Sequence, residues 1–171
     1  MTNVKLLSSK DCKGETRLIL KKLEKNNKDI IILKALANSN NCFRNFCRMG
    51  NSLMTYSKLP GDIRELIIMR LAYVNQANYI WNEHFEYAKL NGITELKLSN
   101  LRKHKINKNN FTKEEILVIK YTDSIIKHNK DSNLTKKIKS IFNDEEFVEL
   151  NMTIGWWGGM TSIVVCGLDL D

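Results

Sequence analysis

Residues 59–93 decide the fold class, and they read LPGDIRELIIMRLAYVNQANYIWNEHFEYAKLNGI. From Asp62 to Val74 most positions are apolar on every side of a helix, which is typical of a helix buried in the centre of a domain. We expect this helix to begin near Pro60, because proline at the first helical position loses no needed donor. A second helix is predicted from Asn78 to Leu90, where an Asn-Gly pair follows as a stop signal. The two helices are expected to fold back antiparallel about a turn near Gln76.

Apolar residues recur at helical spacing through most of the remaining chain. Two capping boxes, Thr112 with Glu115 and Asn143 with Glu146, mark helix starts. The chain has one Pro and eight Gly, and it lacks the regularly recurring turn dipeptides of a sandwich or barrel. The sequence therefore predicts an all-α fold of eight or nine helices. Besides the hairpin, the predicted helical segments are residues 15–26, 28–38, 42–56, 112–128, 133–142 and 144–167.

The length and composition favour one folded domain over residues 1–171. A chain of 171 residues is too short for two ordinary domains. Its 43% hydrophobic and 27% charged residues exclude intrinsic disorder. The net charge of +8 raises the affinity for anions in general. The densest basic stretch, Arg102 to Lys108, has no zinc-finger or RNA-binding motif around it, so we expect a solvated loop and no nucleic-acid partner.

We expect a cytoplasmic protein with no membrane partner and no metal site. Residues 1–22 lack the apolar run of a signal peptide. The uncharged segment from Leu150 to Leu168 contains polar residues and four glycines, so a helix buried in a soluble assembly is the better interpretation. The four cysteines include no C-x-x-C pair, and the spacing of Cys42 and Cys47 is not a metal-ligand pattern.

Two side chains of the hairpin interrupt its apolar faces. Glu65 has Ile68, Met69 and Ala72 as helical neighbours, where an ionised carboxylate is costly unless it is paired. His84 lies in an apolar stripe of the second helix, and its imidazole can gain or lose a proton near neutral pH. At a rise of 1.5 Å per residue, Glu65 lies about 16 Å and His84 about 12 Å from the turn. The two are expected to meet as an acid and base pair, although either could instead be a satisfied core residue.

The same stretch resembles the signature segment of the carboxymuconolactone decarboxylase family, which includes the alkylhydroperoxidase D-like proteins. In that family a helix with an Arg-Glu-Leu motif precedes either E-x11-C-x2-C-x3-H or a Y-x-W-x-x-H version without the cysteine pair. Glu65 matches the glutamate and His84 the histidine, nineteen residues apart, and Tyr79 and Trp81 match the aromatic pair. The resemblance covers roughly residues 30–170 and implies an alkylhydroperoxidase D-like multi-helical domain with a central hairpin.

The chain departs from the family pattern in two places. The two cysteine positions are occupied by Ala77 and Ile80, so the paired thiols of the redox members are missing. Another cysteine could substitute only if the fold brought it to the same pocket. Where many members carry a polar stretch in the last helix, this chain has Trp156, Trp157 and two glycines. We interpret the two tryptophans as core or subunit contacts rather than as a substrate platform.

The resemblance also implies a set of site residues and partners. Glu65 and His84 would be catalytic, and Tyr79 would offer a hydroxyl to an oxyanion, with Trp81 beside it in the substrate site. A substrate carboxylate could be held by Arg64 or Arg70. No cofactor is expected. The partner would be a small molecule, and the chain would assemble into homotrimers or homohexamers, which would bury the segment 150–168.

Three functions of different classes follow from these residues. The first is cofactor-free acid and base chemistry, decarboxylation or a related lyase reaction, on a small carboxylated or lactone substrate. The second is an antioxidant alkylhydroperoxidase-like peroxidase, which the missing C-x-x-C pair disfavours. The third is a non-catalytic binding member that kept the fold and lost the chemistry. The sequence favours the first and does not name the substrate.

Overall fold

The computed structural model describes residues 2–26 and 30–171, and the regular secondary structure in this part of the chain consists of helices, with no strand. It holds nine α-helices, a 3₁₀ turn at Ser9–Asp11 and a π-helical turn at Ile163–Gly167. The all-α prediction is confirmed. The α-helices are α1 Gly14–Lys25, α2 Ile31–Leu36, α3 Asn40–Thr55, α4 Gly61–Val74, α5 Asn78–Leu90, α6 Glu95–Arg102, α7 Lys113–Ile126, α8 Ser132–Lys139 and α9 Asp144–Ser162.

Helices α4 and α5 form the predicted hairpin. Its turn is at Gln76, which has a φ of 57°, and the N–H of Ala77 donates to the carbonyl of Ala72 across 2.8 Å. At the other end of the hairpin, Gly61 lies so close to the side chain of Asn91 that a Cβ at Gly61 would overlap the Asn91 amide oxygen. A glycine at the start of α4 therefore lets the two helix ends approach closely.

Helix α4 is the centre of the domain. Every residue from Ile63 to Ala72 is buried, which fits its apolar character on all sides. One core cluster joins α4 to α5, and a second joins it to α7, α8 and α9. Gly158 of α9 faces Leu71 and Ile126 at ordinary van der Waals distance, so α9 packs against α4 and α7 at this position. Gly155 and Gly159 have no heavy atom of another residue near them and are exposed.

Most predicted helix boundaries agree with the structure, and both capping boxes are present. The predicted segment 28–38 begins within residues 27–29, which lie outside the described residues, and its described part forms α2. Pro60 occupies the N-cap of α4 rather than a position in its first turn. Helix α6 was not predicted, because it is short and mostly polar and has no capping box. Its start is fixed by the Thr94 hydroxyl, which accepts from the N–H of Lys97.

The N-terminal helices form a separate apolar cluster on the outside of α3. Cys12, Leu20, Ala37 and Phe43 are its buried members, and Cys47 packs against them. Across residues 2–26 and 30–171, no helix combines the length and apolar character that are needed to cross a bilayer. The basic stretch 102–108 begins at the last residue of α6 and continues as an irregular segment, as predicted for a loop.

Candidate active site

Glu65 of α4 and His84 of α5 lie in direct contact inside the hairpin. Nδ1 of His84 is 2.9 Å from Oε2 of Glu65. The helical rise placed both side chains at nearly one level, and the contact confirms that geometry. Glu65 is 0% exposed and His84 is 6% exposed. The hairpin therefore holds a buried hydrogen bond between a carboxyl group and an imidazole.

Arg64 is the second partner of Glu65. Its Nε donates to Oε1 of Glu65 across 3.3 Å. A buried carboxylate is costly unless a charged or hydrogen-bonding group compensates it, and this guanidinium supplies both. Its two terminal amino groups make no hydrogen bond to a described residue and are not fully buried, so they remain available to an anion. We call Arg64, Glu65 and His84 the Glu65 cluster.

The partner of the His84 ring fixes where its proton resides. A carboxylate only accepts hydrogen bonds, so Nδ1 of His84 is the donor, and the neutral ring keeps its lone pair on Nε2. Nε2 has no hydrogen-bond partner in the described part of the chain, yet it is not among the buried polar atoms that lack one. It therefore lies in the 8% of the side chain that reaches solvent. A ring held in this way can accept or donate a proton at Nε2.

Two aromatic side chains flank the imidazole. The ring of Trp157 meets the His84 ring edge to face, with 4.5 Å between centroids, and Tyr87 lies at 5.9 Å. Trp157, which the sequence predicts to be a core or subunit contact, thus lies against the candidate site. Tyr87 was not predicted, although its position three residues after His84 places it on the same side of α5.

Helix α9 carries an unusual feature at Trp157. Nε1 of Trp157 and Oγ1 of Thr153 are buried, and neither has a hydrogen-bond partner in the structure as described. The two residues lie one turn apart on one side of α9. Buried polar atoms are nearly always satisfied, so an unpartnered donor beside an imidazole is a candidate contact for a ligand oxygen.

Arg70 does not join the Glu65 cluster. It is 2% exposed, and its Nε and Nη2 donate to the two carboxylate oxygens of Asp123, both across 2.7 Å. Its Nη1 lies 3.3 Å from Nδ1 of His104. We call Arg70, Asp123 and His104 the Arg70 cluster. Arg70 lies five residues after Glu65 on α4, so its guanidinium is turned to another face of the helix. The predicted role of Arg70 in holding a substrate beside His84 is therefore not supported.

Tyr79 and Trp81 also lie elsewhere on α5. The Tyr79 hydroxyl accepts from the N–H of Ile32 across 3.4 Å, at the start of α2. Trp81 is buried, and the guanidinium of Arg102 lies 5.0 Å from the centre of its ring. The structure thus brings Glu65, His84 and Arg64 together and places the predicted aromatic pair in other contacts.

Two cavities of the described chain lie at the Arg70 end of α4, with volumes of about 340 and 250 Å³. Neither cavity is lined by Glu65 or His84. Within this chain, the rings of Trp157 and Tyr87 lie against the imidazole.

Redox members of the family that the sequence resembles carry two cysteines at positions of this hairpin. Ala77 and Ile80 occupy them and are buried. Cys12 and Cys47 belong to the N-terminal apolar cluster, and Cys42 and Cys166 are exposed. Burial raises the pKa of the Cys47 thiol to about 11 and also raises the pKa of Cys12. The described ranges contain no group of three His, Cys, Asp or Glu side chains arranged to hold a metal ion.

Comparison with known proteins identifies the fold. No protein-family model matches the sequence, and no curated protein matches it. An uncharacterised peroxidase-related protein with an alkylhydroperoxidase AhpD core, from Ralstonia eutropha JMP134, superposes with a TM-score of 0.83 at 13% identity, over 99% of this chain and 91% of that one. An uncharacterised peroxidase-related protein from Silicibacter sp. TM1040 gives a TM-score of 0.76 at 17% identity, over 98% and 93%.

A third solved structure agrees. A protein of unknown function from Agrobacterium tumefaciens, which has been proposed to be an antioxidant defence protein AhpD, gives a TM-score of 0.68 at 18% identity. The superposition covers 76% of this chain and 90% of that one. The chain therefore has the alkylhydroperoxidase D-like fold. At these identities the likeness extends to the fold alone.

Proposed function

We propose that this alkylhydroperoxidase D-like chain catalyses cofactor-free acid and base chemistry, a decarboxylation or related lyase reaction, on a small carboxylated or lactone substrate. The observation that supports it most is the Nε2 of His84, which reaches solvent while Glu65 holds the other ring nitrogen. A carboxylate behind an imidazole fixes its tautomer and stabilises the imidazolium, which is the arrangement that general acid and base catalysis requires.

The proposed step is the loss of carbon dioxide from an unsaturated lactone acid. The bond between the ring carbon and the carboxylate carbon breaks, and its electron pair moves into the conjugated lactone carbonyl. Carbon dioxide leaves, and the resulting dienolate takes one proton on carbon from Nε2 of the His84 imidazolium. Glu65 stabilises the imidazolium before this transfer, and solvent returns the proton to Nε2 afterwards. The reaction consumes no oxidant and no reductant.

Two further groups could bind the substrate in this proposal. The terminal amino groups of Arg64 would hold its carboxylate. The indole N–H of Trp157 would donate to the lactone oxygen, on which negative charge develops. Trp157 thereby takes the role that the sequence suggested for Tyr79, whose hydroxyl contacts α2.

Peroxide reduction is the less favoured enzyme function. A thiol peroxidase needs a thiolate near its proton relay, and Ala77 and Ile80 stand where the thiols would be. The pKa of Cys47, raised to about 11, leaves that thiol protonated at neutral pH.

A non-catalytic binding function is the second candidate, and one observation favours it. The two cavities near the hairpin are lined by other residues, and two aromatic rings flank His84. If the rings never admit a substrate, the Glu65 cluster is a structural element of the core.

The test is the decarboxylation of γ-carboxymuconolactone, followed by carbon dioxide release. We expect the wild-type chain to turn over, and His84→Ala to lower kcat by about 10²- to 10⁴-fold while circular dichroism stays unchanged. His128→Ala is the matched control, because His128 is exposed at the end of α7. Turnover of the His84→Ala variant at the wild-type rate would refute the proposal. Absence of turnover by the wild type on this and related lactone acids would favour the binding function.

We also propose that the chain forms a homotrimer or homohexamer. Three large apolar side chains of the last helical segment are exposed, Val148 at 54%, Met152 at 40% and Ile163 at 39%, and they recur at helical spacing. The exposed Gly155 and Gly159 lie on the same side and would permit close approach. Light scattering should give three or six times the chain mass, and Met152→Glu should reduce it. A monomer for the wild type would contradict the proposal.

The cytoplasm is the compartment that we propose. All four cysteines are free, and Cys42 and Cys166 are exposed, which suits a reducing environment. Fractionation of the native cells tests the proposal, and recovery from an oxidising compartment would contradict it.

A further inference from the structure

We propose a second binding site, for a phosphate-bearing small molecule, in the cleft between the turn of the hairpin and the basic stretch 102–108. This inference does not depend on the proposed reaction at His84. The cleft comprises the two cavities of about 340 and 250 Å³, which share Tyr73 and Gln76 as lining residues and so adjoin each other. The larger volume falls at the lower end of the range of small-molecule sites.

The lining of the cleft is cationic. Arg70, Arg102 and Lys127 line it together with His104, and no carboxylate is among the lining residues. Lys103 and Lys105 are exposed on the same loop and extend the positive charge around the cleft. With a net charge of +8 for the chain, this concentration of positive charge attracts anions and raises their rate of encounter.

The guanidinium of Arg70 gives the cleft a fixed floor. The side chain is 3% exposed, and two hydrogen bonds of 2.7 Å to Asp123 hold it in one orientation. Its remaining group, Nη1, meets only the His104 ring across 3.3 Å, which is a longer contact than the other two. A phosphate oxygen offers Nη1 a charged acceptor, which makes a stronger hydrogen bond than a neutral imidazole.

His104 and Arg102 are placed to yield to such an anion. His104 is exposed in an irregular segment, so its ring can turn without disturbing the packed core. Arg102 is also exposed and lies over the Trp81 ring, with a contact of 3.4 Å to Asn78. A phosphate group in the cleft would gain Arg102 and Lys127 as charged donors, since both residues line it.

Asp123 and Asp171 are acidic residues that contact the lining of the cleft. Asp123 is occupied by Arg70, and Asp171 accepts from the N–H groups of Asn78 and Tyr79 at the start of α5. Each carboxylate is thus paired with a residue that lines the cleft, Asp123 with Arg70 and Asp171 with Asn78. Arg102 and Lys127 form no ion pair with a described residue, so the lining of the cleft keeps a net positive charge.

The test measures binding of inorganic phosphate, pyrophosphate and adenosine monophosphate by calorimetry at low ionic strength. We expect pyrophosphate to bind more tightly than phosphate, and Arg102→Gln with Lys127→Gln to raise its Kd about tenfold. The matched control is Arg17→Gln with Lys21→Gln, which removes the same charge from exposed positions of α1 and should change Kd less than about twofold. Tighter binding of adenosine monophosphate than of phosphate would identify a nucleotide as the preferred source of the phosphate.

Three results would overturn the inference. One is no binding of any of the three probes. Another is an equal loss of affinity in both double variants, which would show only a general attraction of anions. The third is binding of a single-stranded oligonucleotide that pyrophosphate does not displace, which would assign the basic stretch to nucleic acid instead. Turnover of γ-carboxymuconolactone is measured in the same preparations and is expected to be unchanged in both double variants.

Discussion

Helix α4 carries a buried arginine near each end, and the two differ in how many of their guanidinium nitrogens have a hydrogen-bond partner. In the Arg70 cluster, both oxygens of Asp123 are occupied by Arg70, and the third guanidinium group meets His104. In the Glu65 cluster, the Nε2 of His84 and the terminal amino groups of Arg64 have no partner among the described residues. Donors and acceptors that have no protein partner next to a titratable ring are typical of a reactive site.

His84 and His104 also differ in which ring nitrogen carries the hydrogen atom. Nδ1 of His84 faces a carboxylate, which only accepts, whereas Nδ1 of His104 faces a guanidinium, which only donates. His84 therefore carries its hydrogen on Nδ1, and His104 carries it on Nε2. The reactive lone pair of His84 points outward from the pair, while that of His104 is engaged with the protein.

The largest effect is expected at Glu65. Glu65→Gln keeps the shape of the side chain and removes the negative charge that stabilises the imidazolium, so kcat for lactone acid decarboxylation should fall about 10²- to 10⁴-fold. Steady-state kinetics measures the fall, and circular dichroism checks the fold. If kcat changed by less than twofold, the Glu65 cluster and its unpartnered atoms would have no role in catalysis.

Asp123→Asn should give the opposite pattern at the other end of α4. The substitution leaves the buried guanidinium of Arg70 without its charged partner, and the free energy of unfolding should fall by about 2 to 3 kcal/mol. Decarboxylation at 25 °C should stay within about twofold of wild type, because His84 is untouched. Urea denaturation and kinetics on the same sample separate the two. A loss of turnover without a loss of stability would abolish the distinction between the clusters.

A smaller effect is expected at Trp157. Trp157→Phe removes the unpartnered N–H and keeps an aromatic ring against His84, so kcat/KM should fall about tenfold. The free energy of unfolding should change by less than about 1 kcal/mol, because no hydrogen bond to a described residue is lost. Trp156→Phe is the control, since Trp156 packs on Phe46. Equal kinetics for the two variants would remove Trp157 from the site.

The smallest effect is expected at Cys47. Its pKa, raised by burial to about 11, keeps the thiol protonated at lower pH, and thiolate forms only as the pH rises toward that value. Cys47→Ser should therefore leave decarboxylation unchanged across about pH 6 to 9. Peroxide consumption with a dithiol reductant should be negligible in both proteins. Appreciable peroxide consumption that is lost in the variant would shift the assignment to a thiol peroxidase.

The sequence predicted the hairpin and the contact of Glu65 with His84 because both depend on local geometry. An apolar helix, a turn and a fixed rise per residue are enough to set two side chains at one level. The third member of the cluster, Arg64, was anticipated only as one of several cations. Its choice over Arg70 depends on Asp123 of α7, which lies 53 residues along the chain from Arg70.

The parts that could not be predicted depend on distant elements. Trp157 meets His84 only because α9 packs on the hairpin, and periodicity does not specify which ring of a Trp-Trp pair faces inward. The Tyr79 hydroxyl contacts α2, so its position depends on how the N-terminal helices dock. Helix α6 was missed for a local reason, since a single threonine cap and a short polar sequence give little signal.

The tautomers of the two histidines test the central claim most directly. Long-range proton–nitrogen NMR spectra of the chain with ¹⁵N-labelled histidine, recorded where the rings are neutral, distinguish Nδ1–H from Nε2–H forms. We predict Nδ1–H for His84, Nε2–H for His104 and a solvent-averaged mixture for the exposed His128. An Nε2–H form for His84, or one shared pattern for all three rings, would show that Glu65 does not accept a hydrogen bond from Nδ1 as a carboxylate, and it would contradict the account.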